Sequence, residues 1–236
     1  MSDERLRELE RRWKRTGSAE DEAAWLSARV RTGTITERRL QVAAYLGHSA
    51  AADALIAAGY DPRYIPPWRQ GSITHLASGL SEFGAEVCAR AALAMGPLVP
   101  ERALDDEEVF GNAYLNRMTG SDREEARVAS ENWIVCPCAD CSRRASQFLQ
   151  RLAAGWSELD RRFTPSLPPE GGACRIASQG EKYERKGVEA GEAAMHASRV
   201  VGEAEARAAL CGELVPWALG YSDPVRDRAE SRRRNM

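Results

Sequence analysis

Residues 18–33 read Ser18-Ala19-Glu20-Asp21-Glu22-Ala23-Ala24-Trp25-Leu26-Ser27-Ala28-Arg29-Val30-Arg31-Thr32-Gly33, a helix with both ends marked. Ser18 followed three residues later by Asp21 is a capping-box pattern with Asp in place of the usual Glu. Gly33 stands where a left-handed C-terminal cap belongs. Between these signals Ala23, Trp25, Leu26 and Val30 supply one apolar face. A helix of this length buries that face only against a neighbour, so the flanking segments decide the architecture.

Upstream, Leu6, Leu9 and Trp13 lie at helical spacing, with Ser2 as a cap and Gly17 as a stop. Downstream, Thr36 caps a helix carrying Leu40, Ala43, Ala44 and Leu46, and Ser49 caps one carrying Ala52, Leu55 and Ile56 before Gly59. Connections this short force neighbours to run antiparallel, and alanine on the facing sides permits close approach. Residues 1–59 therefore predict two stacked helical hairpins with Trp13 and Trp25 between helices. The spacing is HEAT-like, or that of an irregular bundle.

Helical periodicity continues over 73–95, through Leu76, Leu80, Phe83, Val87, Ala91 and Ala94, with Cys88 inside it. Gly96-Pro97-Leu98-Val99-Pro100 then breaks the chain. Further helices are predicted from Asp105, from a Ser121-Asp122-Arg123-Glu124 capping box to Val135, over 138–162, from Glu181, from Glu203, and after Ser222-Asp223-Pro224. Residues 164–180 read as a mobile loop because of Pro165, Pro168, Pro169, Gly171 and Gly172, and the arginine-rich end from Val225 reads as frayed. The sum is an all-α chain of about nine helices without a sheet. Its subdomains are expected at 1–96 and 97–236, or it is one continuous domain.

Composition bounds the function. With 236 residues, 43% of them hydrophobic, the chain is long enough for a real core. A formal net charge of −2 gives no field that would draw it to nucleic acid or an anionic membrane. The charged run Asp105-Asp106-Glu107-Glu108 reads as a helix start rather than a carboxylate site. No stretch approaches the roughly 18 apolar residues of a membrane span. The start, Met1-Ser2-Asp3-Glu4-Arg5, lacks the apolar middle of a secretory signal, so a cytoplasmic protein is expected. Walker, Rossmann, nucleophile-elbow and His-Glu-x-x-His patterns are all missing, which favours a non-enzymatic adaptor whose partner is another protein. In the proline-rich segment 60–71, Tyr64 and Trp68 are the candidate partner-binding anchors.

One stretch concentrates chemistry: Cys136-Pro137-Cys138-Ala139-Asp140-Cys141 holds half of the six cysteines. If Pro137 opens a new helix, Cys136 caps it and Cys138 lies in its first turn, where unpaired amides lower a thiol's pKa. Structural zinc needs four ligands and these supply three, so Cys174 from the expected loop is the candidate fourth. Three readings stay open: structural zinc on Cys136, Cys138, Cys141 and Cys174, a reactive thiol, or small apolar residues at a kinked helix junction. His48 reads as a turn residue, His75 as a surface or capping residue, and His196 as partly buried and hydrogen-bonded.

Two spans carry a resemblance. Arg12 to Ser18 on through Leu40 to Ala44-Tyr45-Leu46-Gly47-His48, with Leu214-Val215-Pro216-Trp217 and Tyr221 to Arg226, look like uncharacterised, alanine-rich, helical bacterial proteins. Part of that set is similar to proposed immunity proteins of toxin systems. The resemblance covers about a third of the chain and implies a helical bundle with an immunity or defence association. It brings no catalytic residues, and residues 60–180 lie outside it.

Overall fold

Gly33, Gly47 and Gly59 end three successive helices in the same way. Each takes a positive φ (71°, 90° and 96°), and the amide after it reaches back five residues to a helix carbonyl, closing a Schellman cap. The computed structural model describes residues 3–61, 71–100, 103, 118–154 and 167–235; among them the chain is all-helical, with no strand. The first four helices are α1 (Asp3–Thr16), α2 (Ala19–Arg31), α3 (Glu37–Tyr45) and α4 (Ser49–Ala57). Ser18 and Thr36 cap as expected, their hydroxyls accepting from the amides of Asp21 and Arg39. For α4 the cap is His48 rather than Ser49: its Nδ1 accepts from Ala51 at 3.3 Å, because the Schellman turn leaves His48 in extended backbone beside the helix start.

The following elements are α5 (Ile73–Gly79), α6 (Ala85–Met95), α7 (Gly120–Val135), α8 (Ala139–Ala154), α9 (Pro169–Gln179), α10 (Lys186–Val201), α11 (Glu203–Leu219) and α12 (Pro224–Arg234). That makes twelve α-helices among the described residues, against about nine expected. The predicted helix over 73–95 is two, because Leu80–Phe83 tightens into a 3₁₀ turn and Gly84 at φ 98° redirects the chain. The acidic run at 105–108 lies outside the described residues.

Two compact units emerge, Met1–Gly71 with Leu214–Ser222, and Ser72–Glu213 with Asp223–Met236, so residue 96 falls inside the second. In the first unit α1 packs on α2, α2 on α4 and α3 on α4. Trp13, half-buried, and Trp25, buried, meet between α1 and α2 and stack at 4.7 Å, and Tyr221 joins them at 5.5 and 5.8 Å. Each such ring pair contributes about 0.5–1.5 kcal/mol beyond its burial. Arg29 lies over the Trp25 ring and donates to the Leu219 carbonyl, which ties the end of α11 to α2.

The second unit overturns the expected loop over 164–180. Pro169-Glu170-Gly171-Gly172-Ala173-Cys174 opens α9, whose first eight positions are nearly all buried and which packs on α6, α7, α8 and α10. Helix propensity argues against two glycines here, but packing requires them. A Cβ on Gly171 would lie 2.8 Å from the Met118 sulfur and 2.9 Å from Leu167 Cβ. Proline at the first helical position costs nothing, since its missing N–H has no partner there anyway. The helices gather around α9 instead of stacking in a line, so the arrangement departs from a HEAT-like one.

Four buried or half-buried ionic groups, three pairs and one cluster, tie elements of this unit together. Arg90, 2% exposed, grips Asp223 through two bonds of 2.8 and 3.1 Å. Arg123 does the same to Glu170 at 2.8 and 3.1 Å. Arg175 meets Glu189 at 2.8 Å, with the Tyr183 hydroxyl donating to the same oxygen at 2.5 Å. Glu131, fully buried, receives Arg127 at 3.0 Å, Arg228 at 2.8 Å and Arg232. The last two belong to α12, so the segment expected to fray is a helix clamped at its middle and end. Its cap is the expected one, Asp223 accepting from the Arg226 amide at 3.1 Å.

Where α5 meets α10, Gly187 and Gly191 leave room for close approach. A Cβ on Gly187 would meet the Ser78 carbonyl at 2.5 Å; one on Gly191 would meet the Ser78 hydroxyl at 2.1 Å. Backbone cannot yield but a hydroxyl can rotate. Gly187→Ala is therefore expected to lower the urea unfolding free energy by about 1–3 kcal/mol, and Gly191→Ala by less. Gly212 in α11 has nothing within 4 Å of its would-be Cβ, so Gly212→Ala should raise it by about 0.5–1 kcal/mol. Equal shifts at all three positions would contradict the close-approach argument.

Candidate metal centre

Two packed helices create the junction that holds Cys136, Cys138 and Cys141. α7 buries Ser130, Glu131, Trp133 and Ile134 and ends at Val135; Cys136 follows in extended backbone, its amide still bonded to Asn132 O at 2.9 Å. α8 buries Ala145 and Phe148 from its other side. Pro137 stands between them, and the Cys138 amide folds back on the Cys136 carbonyl at 2.7 Å. The start of α7 is capped by Thr119 with Asp122 in a reciprocal box, two residues earlier than the Ser121 reading.

The junction assigns the helix start to a different cysteine from the one expected. The Cys138 carbonyl accepts the first helical bond, from Ser142 N at 3.1 Å, so Cys138 is the cap residue and Ala139 opens the helix. Pro137, taken in the sequence as the first helical residue, lies outside. The consequence is electrostatic. The Cys138 thiol is brought down to about 7, chiefly by the backbone N–H of Cys141 pointing at its sulfur, then by hydrogen bonds from the other two thiols. Cys136 is pushed up by its bond to Cys138 and by that residue's charge. Burial, then the same neighbour, push Cys141 up to about 11. When Cys138 ionises, the other two thiols donate to its sulfur.

All three sulfurs lie within 4.8 Å of one another, Cys136 and Cys138 exposed and Cys141 half-buried. Zinc at 2.3 Å from each sulfur of a tetrahedral set places them about 3.8 Å apart. The donor set is soft, anionic and already close to that spacing, so it could hold a metal ion. Asp140, its side chain mostly exposed, pairs with Arg143 at 3.0 Å and is not part of the group.

Cys174, the candidate fourth ligand, is elsewhere. It lies fully buried in α9, donates to the Ala145 carbonyl at 3.6 Å, and burial pushes its thiol to about 12. The proposal of this residue as a ligand depended on a loop free to swing, and α9 is a core helix. Tyr64 and Trp68 lie outside the described residues. Cys88 is buried in α6 as expected, with its thiol likewise raised to about 12 by burial. His75 is exposed beside its cap Ser72, with 2.9 Å between Nδ1 and the hydroxyl. His196 is 2% exposed on α10, and burial, with a smaller contribution from Arg199, lowers its imidazole to about 4.

No helix of the described residues is long and apolar enough to cross a membrane. Comparison with protein families, curated proteins and solved structures finds no match to this chain.

Two titrations follow. In metal-free protein the rate of Cys138 alkylation by iodoacetamide should rise with a midpoint near pH 7, while Cys141 stays slow until well above it; peptide mass mapping separates them. His196 is neutral in the fold and has an ordinary imidazole pKa of about 6.5 when unfolded, so it stabilises fully above that pH. That contribution is lost as pH falls from about 6.5 to about 4, by about 3 kcal/mol in all. Urea unfolding at pH 7 and pH 4 should show the loss in the wild type and a smaller one in His196→Gln.

Proposed function

We propose that the chain is a non-enzymatic helical binding protein whose chemical centre is a zinc ion held by Cys136, Cys138 and Cys141. The observation that carries the metal reading is the convergence of three sulfurs at one helix junction within 4.8 Å. Cys138, ionised most readily, would be the first ligand, and loss of the remaining thiol protons on binding makes affinity rise with pH. Three thiolates leave one tetrahedral position for water or a donor from outside the group. The ion would pin the exit of α7 to the entry of α8 and so stiffen the surface on which both cysteine-bearing turns lie. The adaptor reading rests on the all-helical architecture and on the sequence patterns described above, and an immunity or defence role rests on the sequence resemblance alone.

Elemental analysis of protein purified without chelator tests the metal reading. One zinc per chain is expected, lost in Cys138→Ser with the far-ultraviolet circular dichroism kept. Cys174→Ser should retain the zinc, because that thiol is committed to the core. A zinc-free wild type, or full occupancy in Cys138→Ser, would overturn the reading.

A further inference from the structure

Cys138-Ala139-Asp140-Cys141 places two thiols one helical turn apart at the start of α8, where residues three apart share a face. Their sulfurs lie within 4.8 Å, and closing to the roughly 2 Å of a disulfide needs rotation of two side chains at a helix end, with the helix body left in place. The two are unequally presented: Cys138 is exposed and Cys141 half-buried. An incoming disulfide therefore meets Cys138 first, and Cys141 waits behind it. Cys88 and Cys174 are buried, and neither belongs to a thiol cluster among the described residues.

We propose that Cys138 and Cys141 form a dithiol–disulfide couple that exchanges with low-molecular-weight disulfides, Cys138 attacking and Cys141 resolving. Cys138 gives up its proton and its sulfur attacks one sulfur of the small disulfide. That S–S bond breaks, one small thiolate leaves and takes up the proton, and Cys138 is left in a mixed disulfide. Cys141 then loses its proton and attacks the Cys138 sulfur, and the second small thiol departs with that proton. The protein dithiol is oxidised by two electrons and one small disulfide is reduced to two thiols. Closure also removes two of the three sulfurs from the metal centre, leaving only Cys136; that regulatory consequence rests on the zinc reading, whereas the exchange itself does not.

Oxidised glutathione is the probe, with Cys136→Ser as the starting protein, which removes the third thiol of the cluster and keeps a hydroxyl donor beside Cys138. After chelation of metal, Cys136→Ser should lose two titratable thiols, release two glutathiones and carry none, with the new bond mapped to the peptide holding Cys138 and Cys141. Cys136→Ser/Cys141→Ser should stop as a glutathione adduct on Cys138, with one glutathione released. Circular dichroism checks that both variants are folded. No thiol loss in Cys136→Ser, or an adduct on Cys211 in place of Cys138, overturns the proposal. Zinc in the wild type alongside no exchange in Cys136→Ser removes this inference alone; exchange without zinc in the wild type removes the metal reading alone.

Discussion

A carboxylate removed from water must meet a cation or be discharged, and Glu131 shows how far that requirement organises the second unit. It is fully buried in α7 and is met by Arg127 one turn away and by Arg228 and Arg232 of α12, a hundred residues on. Taking away one side of such a pair leaves an uncompensated charge, costing about 3–5 kcal/mol when the partner is buried. The same constraint ties Arg90 to Asp223, Arg123 to Glu170 and Arg175 to Glu189. Geometry sharpens each tie: two of the guanidinium pairs are bidentate, which fixes orientation as well as distance. These pairs tie α7 to α9 and α12, and α9 to α10, while the glycines of α9 and α10 set how closely those helices approach their neighbours.

This division explains what could be read in the sequence. Local devices were legible: the hydroxyls of Ser18 and Thr36, the stops at Gly33 and Gly59, and the Asp223-Pro224 restart all act within a few residues. That Trp13 and Trp25 meet between helices followed from helical spacing, whereas their ring stacking did not. What escaped was anything decided at a distance. Gly171 and Gly172 look like a loop until Met118, Leu167 and Glu189 are found where their Cβ atoms would go. The arginines of α12 look like a solvated tail until Glu131 is found beneath them. Charge balance over the chain hides this, because the formal net charge of −2 is the same whether the charges face water or one another.

The cysteine cluster follows the same pattern at smaller scale. Three thiols in six residues marked the place in the sequence, but their convergence depends on the turn at Pro137, since in extended backbone the outer two would lie about 16 Å apart. Which cysteine begins the helix was not legible, because Pro137 is equally at home in the first turn of a helix or just before it. The tight return of the Cys138 amide onto the Cys136 carbonyl places it before, and that single step moves the cap position, whose side chain faces the first free amides of the helix, from Cys136 to Cys138. The error over Cys174 came from the misread loop and not from the chemistry of the ligands.

The junction has buried packing on both of its sides. α7 and α8 each pack on α9, and Trp133 and Ile134 on one side and Ala145 and Phe148 on the other are buried. A zinc finger folds only with its metal because it has no other core to draw on; here a core is in place on both sides of the turn. If zinc binds as proposed, its binding free energy would not be consumed in folding the chain and would go into affinity and into restraining a surface turn. Such a site, exposed at two of its three sulfurs, would exchange its ion without unfolding the surrounding helices. The folded scaffold supplies the proximity of the thiols, and what occupies them depends on the metal and thiol poise of the surrounding solution.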